Sequence, residues 1–369
     1  MLSPQDDFIG HQLPTTFNHV ATSDDRWTER YWYSGMPIAT GDVLLDMGLG
    51  FYPNKNVMDA FAGLTVDNVQ HTYRASRRLG RTPLETSVGA VRFEIVEGLK
   101  RHRVTLAENP SGLTFDLEFL ASFPGTQEGQ SFRRRHGRVE EDLTRMAQFG
   151  RWQGWISLGE RRWEIDPEAW WAQRDHSWGV RSVHQTDIDS HLPVQRHSNF
   201  FWFWLTYQFE DFGLALFLKE RSPDKQMYFS GIEIGRDGKE RHIERVEHEM
   251  EWRDDPLGQT WKGGKLRLHY EDGATRELTV EGLPGRFYLK AGGYGGFEGW
   301  NHGDDKGDLF QTAYRWELTD PDTRSRARTL GDHATRVTTD DGQVGFGMSE
   351  YGVAAGYPKY QAVQCHPAL

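Results

Sequence analysis

The chain has 369 residues, 43 of them Lys or Arg against 54 Asp or Glu, for a net charge of −11. That length exceeds one ordinary core and predicts two domains. The acidic balance speaks against a nucleic-acid partner, whose phosphates need a basic face, and against an anionic membrane surface.

One cysteine, Cys365, cannot form an internal disulfide, which fits a reducing cytosol. The opening MLSPQDDFIG has neither the basic nor the apolar region of a signal peptide. The strongest apolar run, Phe200 to Leu205, falls far short of a membrane span. The expectation is a soluble, cytoplasmic protein. With 14 Trp, 13 Tyr, 21 Phe and 40 Gly and few long helical patterns, the chain is expected to be all-β.

In chain order, residues 101–107 and 113–123 read as strands around the turn Asn109-Pro110-Ser111-Gly112. Leu113, Phe115, Leu117 and Phe119 alternate with Thr114, Asp116 and Glu118, the period of a half-buried strand. The basic cluster Arg133-Arg134-Arg135-His136 lies among acids and reads as a solvated loop. Leu143, Met146, Ala147 and Phe149 have rough helical spacing, which predicts a short helix over 140–149.

The stretch WWAQRDHSWGVR, residues 170–181, sets Asp175 beside His176 among Trp170, Trp171 and Trp178. An acid and an imidazole move protons near neutral pH, and indoles supply apolar walls and π faces. Adjacent strand residues point to opposite faces, so His176 and Trp178 share one face and Asp175 takes the other. Thr186 to Ser198 is polar and contains Pro193, a place for the chain to cross between domains 1–187 and 188–369.

Phe200 to Phe209 is aromatic on both faces, with Trp202 and Trp204 on one side and Phe201, Phe203, Leu205 and Tyr207 on the other. Such a strand fits a barrel wall packed against another domain. Asp237-Gly238, Asp272-Gly273 and Asp341-Gly342 read as hairpin turns. Gly292-Gly293-Tyr294-Gly295-Gly296 reads as a tight bend rather than a dinucleotide fingerprint, because no strand–helix unit surrounds it. In Trp300-Asn301-His302-Gly303-Asp304-Asp305, His302 is a candidate partner for His176 or Asp175. The acids there lack the ligand spacing of an EF-hand, and no zinc-type His/Cys set occurs, so no metal is expected.

The segment Gly154 to Gly179 with its RDHSWG, together with AGGYGGFEGWNHGD (291–304) and GFGMSEYGVAAGYPKYQ (345–361), resembles the carotenoid 1,2-hydratase and AttH-like double-lipocalin family. Fungal lipocalin-like Diels–Alderases share that fold. The resemblance implies two consecutive lipocalin-like β-barrel domains with a ligand cavity. It implies active-site roles for His176 and Trp178. It also implies a Tyr-x-Asp pair about one strand further on; this chain departs from that, with Leu-Thr-Tyr-Gln-Phe-Glu-Asp at 205–211 and no Tyr-x-Asp spacing.

The expected function is a cofactor-independent enzyme on a hydrophobic small molecule, hydrating, dehydrating or isomerising a C=C bond. Asp175, His176 and His302 are the candidate proton-transfer groups. Trp171, Trp178, Trp202, Trp204, Tyr207, Tyr294, Trp300, Glu350 and Tyr351 are the candidate substrate walls. The alternative is a carrier or sensor of a lipophilic metabolite, in which Asp175 and His176 are structural.

Overall fold

A computed structural model of the protein describes residues 2–11, 22–80, 82, 84–135, 137–181, 199–254, 260–327, 330–354 and 356–361. The expected crossing at Thr186 to Ser198, the boundary between residues 187 and 188, His136 and Cys365 lie outside the described residues.

The first half is one curled antiparallel sheet. Trp27–Pro37, Leu44–Tyr52, Val57–Val66 and Val69–Arg78 form a meander. Trp170–Val180 lies on the other side of Trp27–Pro37, followed by Arg138–Leu158, Leu113–Ala121, Arg101–Leu106 and Val91–Glu97. The sheet curls until its two ends meet through side chains. Tyr73 Oη accepts the Ala90 amide at 2.9 Å, and Arg77 Nε donates to the Ser87 carbonyl at 2.8 Å. The strand Phe310–Glu317, from the second half of the chain, pairs with Val69–Arg78 and extends this sheet.

The second half closes into an eight-stranded barrel, Phe201–Gln208, Phe212–Ser222, Lys225–Gly235, Glu240–Trp252, Trp261–Tyr270, Thr275–Tyr288, Gly331–Thr339 and Val344–Val353. The three Asp-Gly pairs make its hairpins, with φ of 79°, 84° and 88° at Gly238, Gly273 and Gly342. Glycine meets those angles without a Cβ clash. Among the described residues, no helix is long and apolar enough to cross a membrane.

The expected helix at 140–149 is instead part of the long strand Arg138–Leu158. It is paired on both edges, to Trp170–Val180 and to Leu113–Ala121 among others. Met146 is buried on one face, while Ala147 and Phe149 pack with Ala215 and Ile234 of the barrel. A strand buried on both faces carries apolar residues at any spacing, which here imitates a helix.

The period of two in Phe201–Gln208 sorts its aromatics as expected. Phe201, Phe203, Leu205 and Tyr207 fill the barrel. Trp202 and Trp204 point outward and pack with Trp32, Met36, Leu44 and Phe61 of the first sheet. This aromatic layer joins the two domains. The barrel interior is filled by its own rings: Tyr351 stacks on Trp261 at 4.0 Å, and Tyr357 stacks on Phe201 at 5.2 Å. His248 bonds Glu220 at 2.9 Å and Tyr360 at 2.7 Å beside them.

Candidate active site at the domain seam

The pleat of Trp170–Val180 separates Asp175 from His176. His176 points into the curled first sheet, fully buried. Its Nε2 lies 2.9 Å from Glu29 Oε1, and His11 Nδ1 lies 3.0 Å from the same oxygen. Gly10 donates its amide to Glu29 Oε2 at 2.8 Å. Burial pushes the Glu29 carboxyl up, but its bonds to His11 and His176 outweigh that and hold it below the usual range. Trp178 packs its ring on both imidazoles, at 4.7 Å from His11 and 5.0 Å from His176. This cluster pins the N-terminal segment to the sheet. Its three donor atoms lie within 4.8 Å of one another and are of types that hold divalent ions. Here each is engaged in the hydrogen bonds just described.

Asp175 faces the other way, into the seam between sheet and barrel. Arg145, on the neighbouring strand, places Nε 3.1 Å from Asp175 Oδ2 and Nη1 3.2 Å from Glu128 Oε2. Trp204 reaches across from the barrel and donates Nε1–H to Glu128 Oε1 at 2.6 Å. Trp204 also meets Trp32 edge to face at 5.2 Å. Asp175 and Arg145 keep 13% and 14% of their side-chain surface exposed despite lying between two domains. The seam is thus not fully sealed from solvent at this point.

Three further carboxyls face the seam. Asp332 and Glu350 are paired residues on neighbouring barrel strands, and Glu350 is also opposite Trp204. Asp332 meets Asp46 of the first sheet. Burial pushes Asp46 and Asp332 well above the ordinary carboxylate range, and the neighbouring Asp46 adds to the rise at Asp332. Burial also raises Glu350 well above that range, reinforced by Asp332 and opposed by Arg145. Asp175 is raised by burial against the pull of Arg145 and Arg181. Arg181 is lowered by burial, with Arg30 and Arg145 adding to it, to about 10.

The loop after Thr275–Tyr288 covers one end of the seam. His302 Nδ1 lies 3.3 Å from Asp59 Oδ2, and the Gly303 amide donates to the same oxygen at 2.9 Å. The expected partner of His302 was His176 or Asp175; the structure pairs it with Asp59, whose strand crosses beneath the loop. Burial lowers His302 to about 4, with Arg30 next in effect, so it is a neutral ring at physiological pH. Tyr294 packs edge-on to His302 at 4.9 Å and lies 5.7 Å from the Arg30 guanidinium.

The seam therefore brings together Asp175, Trp204, Tyr294 and Glu350 of the residues singled out from sequence. Trp202 lies on the same face, beside Phe217 at 6.5 Å. Trp171 is at the far end, against Phe346 at 5.4 Å. Trp300 lies under the Arg74 guanidinium at 3.6 Å. His176 and Trp178 are on the opposite face of the sheet, and Tyr207 and Tyr351 point into the barrel. Sequence reading missed Arg30, Trp32, Asp46, Glu128, Arg145, Arg181 and Asp332. Two carried a signal: Asp46 is the charged residue in the apolar strand LLDMGLGFY, and Arg181 closes the aromatic stretch itself.

A separate open cleft of about 1210 Å³ lies beyond the Thr126–Gln130 segment, walled by Leu99, Phe123, Pro124, Phe229 and Ile232. Glu128 belongs to both places, lining this cleft and bonding Arg145 and Trp204. The cleft itself holds none of the raised carboxyls.

Among solved structures, the chain is similar to a putative AttH from Nitrosomonas europaea, with 13% identity over 92% of this chain and 95% of that one and a TM-score of 0.57. It is also similar to CghA with Sch210972, at 12% identity over 89% and 88% and a TM-score of 0.49. A third is kievitone hydratase from Nectria haematococca, at 11% identity over 87% and 88% and a TM-score of 0.45. The likeness to the AttH structure is one of fold, and it bears out the expected pair of lipocalin-like β domains. No curated protein matches the sequence. The model of DUF8625, a family of unknown function, matches residues 2–358, and the chain belongs to that family.

Proposed function

We propose that the protein is an enzyme that adds water to, removes it from, or shifts a C=C bond of a hydrophobic small molecule held in the seam. The observation that carries this reading is the placement of Glu350: a half-buried carboxyl at the seam, its pKa raised by burial, set opposite Trp204. A protonated carboxyl at neutral pH is a general acid.

Glu350 gives its proton to one alkene carbon, and positive charge develops on the other. The faces of Trp32 and Trp204 and the Asp175 carboxylate stabilise that charge. Water attacks the cationic carbon and passes a proton to Asp175, which Arg145 holds in place. In the isomerisation, Asp175 instead takes a proton from the adjacent carbon. Dehydration is the hydration read backwards. His176 serves this chemistry only by fixing the strand that carries Asp175.

The experiment is to extract protein purified from its native host with organic solvent. Mass spectrometry then identifies any retained compound, and unsaturated hydrophobic compounds are screened alongside it. Glu350→Gln is expected to abolish turnover of the substrate found while binding survives. Undiminished turnover by that variant would remove Glu350 as the acid. Stoichiometric binding with no turnover by the native protein would favour a carrier.

A further inference from the structure

The three guanidinium groups of the seam are not equivalent. Arg145 is neutralised by Glu128 and Asp175. Arg30 and Arg181 form no ion pair with a carboxylate among the described residues. Among the described residues, the guanidinium of Arg181 makes one hydrogen bond, from Nη2 to Ser177 Oγ at 2.6 Å. Arg30 sits between two rings, 5.5 Å from that of Tyr52 and 5.7 Å from that of Tyr294. The two are close enough to repel: the charge on Arg30 helps lower Arg181. Nε of each is buried without a partner, as is His302 Nε2 nearby. Both residues are half-buried rather than sealed.

Two buried guanidinium groups with no ion pair among the described residues and with Nε atoms that meet no partner are costly unless something answers them. The neighbouring acids act on them only at a distance: Asp59, bonded to His302 and the Gly303 amide, favours the charge on Arg30, and Asp175, paired with Arg145, favours that on Arg181. Three buried nitrogens without a hydrogen-bond partner, on Arg30, Arg181 and His302, thus lie together beside the Tyr52 and Tyr294 rings.

We propose that Arg30 and Arg181 form an anion-binding subsite at the Tyr294 end of the seam, which takes the anionic head of a hydrophobic ligand. The head is a carboxylate, enolate or similar oxyanion, which a guanidinium fork grips through parallel N–H bonds. The hydrophobic body extends toward Trp32 and Trp204. This rests on the reading of the seam as the ligand site and narrows it: the substrate is an amphiphilic anion rather than a plain hydrocarbon.

Two dyes that share their rings test it, anionic anilinonaphthalenesulfonate and neutral phenylnaphthylamine. Their affinities are measured by fluorescence titration on the full chain. The native protein is expected to prefer the anionic dye. Arg30→Gln and Arg181→Gln should each weaken it by at least about tenfold and leave the neutral dye unchanged. Arg30→Lys should retain part of the preference, and Lys100→Met, in the separate cleft, should change nothing. Circular dichroism confirms that the variants fold. If the native protein binds both dyes equally, or the Arg variants weaken both alike, the subsite is wrong and the seam reading stands. If neither dye binds, both fall.

Discussion

Asp46 of the curled sheet and Asp332 of the barrel face each other across the seam, each 1% exposed or less. Each contributes a carboxyl whose folded pKa lies above its unfolded value near 3.8. For an acid raised in this way, the stabilisation is full below the unfolded value and is lost as pH rises through the folded one. The native protein should therefore lose stability as pH rises from about 4 toward neutrality and beyond. Asp46→Asn supplies an amide donor to Asp332 and removes one of the two raised carboxyls with the proton it would bind. The variant's denaturant midpoint should fall less across that range, by about 1–2 kcal/mol in stability. Parallel pH curves for the two proteins would show that the pair carries no such proton.

Turnover should depend on pH in the same sense. Glu350 must be protonated to act, so the rate falls as pH rises through its folded pKa, above the ordinary carboxylate range. Asp332→Asn removes a neighbour that raises Glu350, so the falling limb should move to lower pH. A limb that stays in place would separate the two carboxyls.

Trp204 and Glu128 tie the barrel to the sheet at 2.6 Å. Trp204→Phe keeps the ring contact with Trp32 but leaves the Glu128 oxygen without its indole donor. Thermal or denaturant unfolding should report a loss of about 1–3 kcal/mol. Unchanged stability would mean that water replaces the donor without cost.

His176 is expected to matter for folding and not for the reaction. His176→Ala leaves Glu29 buried beside His11 alone, and should cost about 2–4 kcal/mol. Turnover per folded molecule should survive. A variant of native stability that has lost turnover would return His176 to the catalytic machinery.

The fold was largely legible because its signals are local. Alternation at Leu113 to Phe119, the Asp-Gly turns and the two-faced aromatic strand at 200–209 each depend on neighbours in sequence. The site was legible only in part. The opposition of Asp175 and His176 follows from the pleat, yet which of the two faces the seam depends on how the sheet curls and where the barrel docks. The helical reading of 140–149 hid Arg145, because on a strand paired with Trp170–Val180 it comes opposite Ser177 and beside Asp175. Asp332 gains its meaning only from Asp46, a partner 286 positions away on another domain. No pattern within one strand records that meeting.

The most direct test of the seam as the site is a crystal structure of the protein with phenylnaphthylamine or a compound retained on purification. The account predicts electron density between Trp32, Trp204 and Tyr294, with the ligand within reach of Glu350. Density confined to the barrel interior, or to the cleft walled by Leu99 and Phe229, would contradict it.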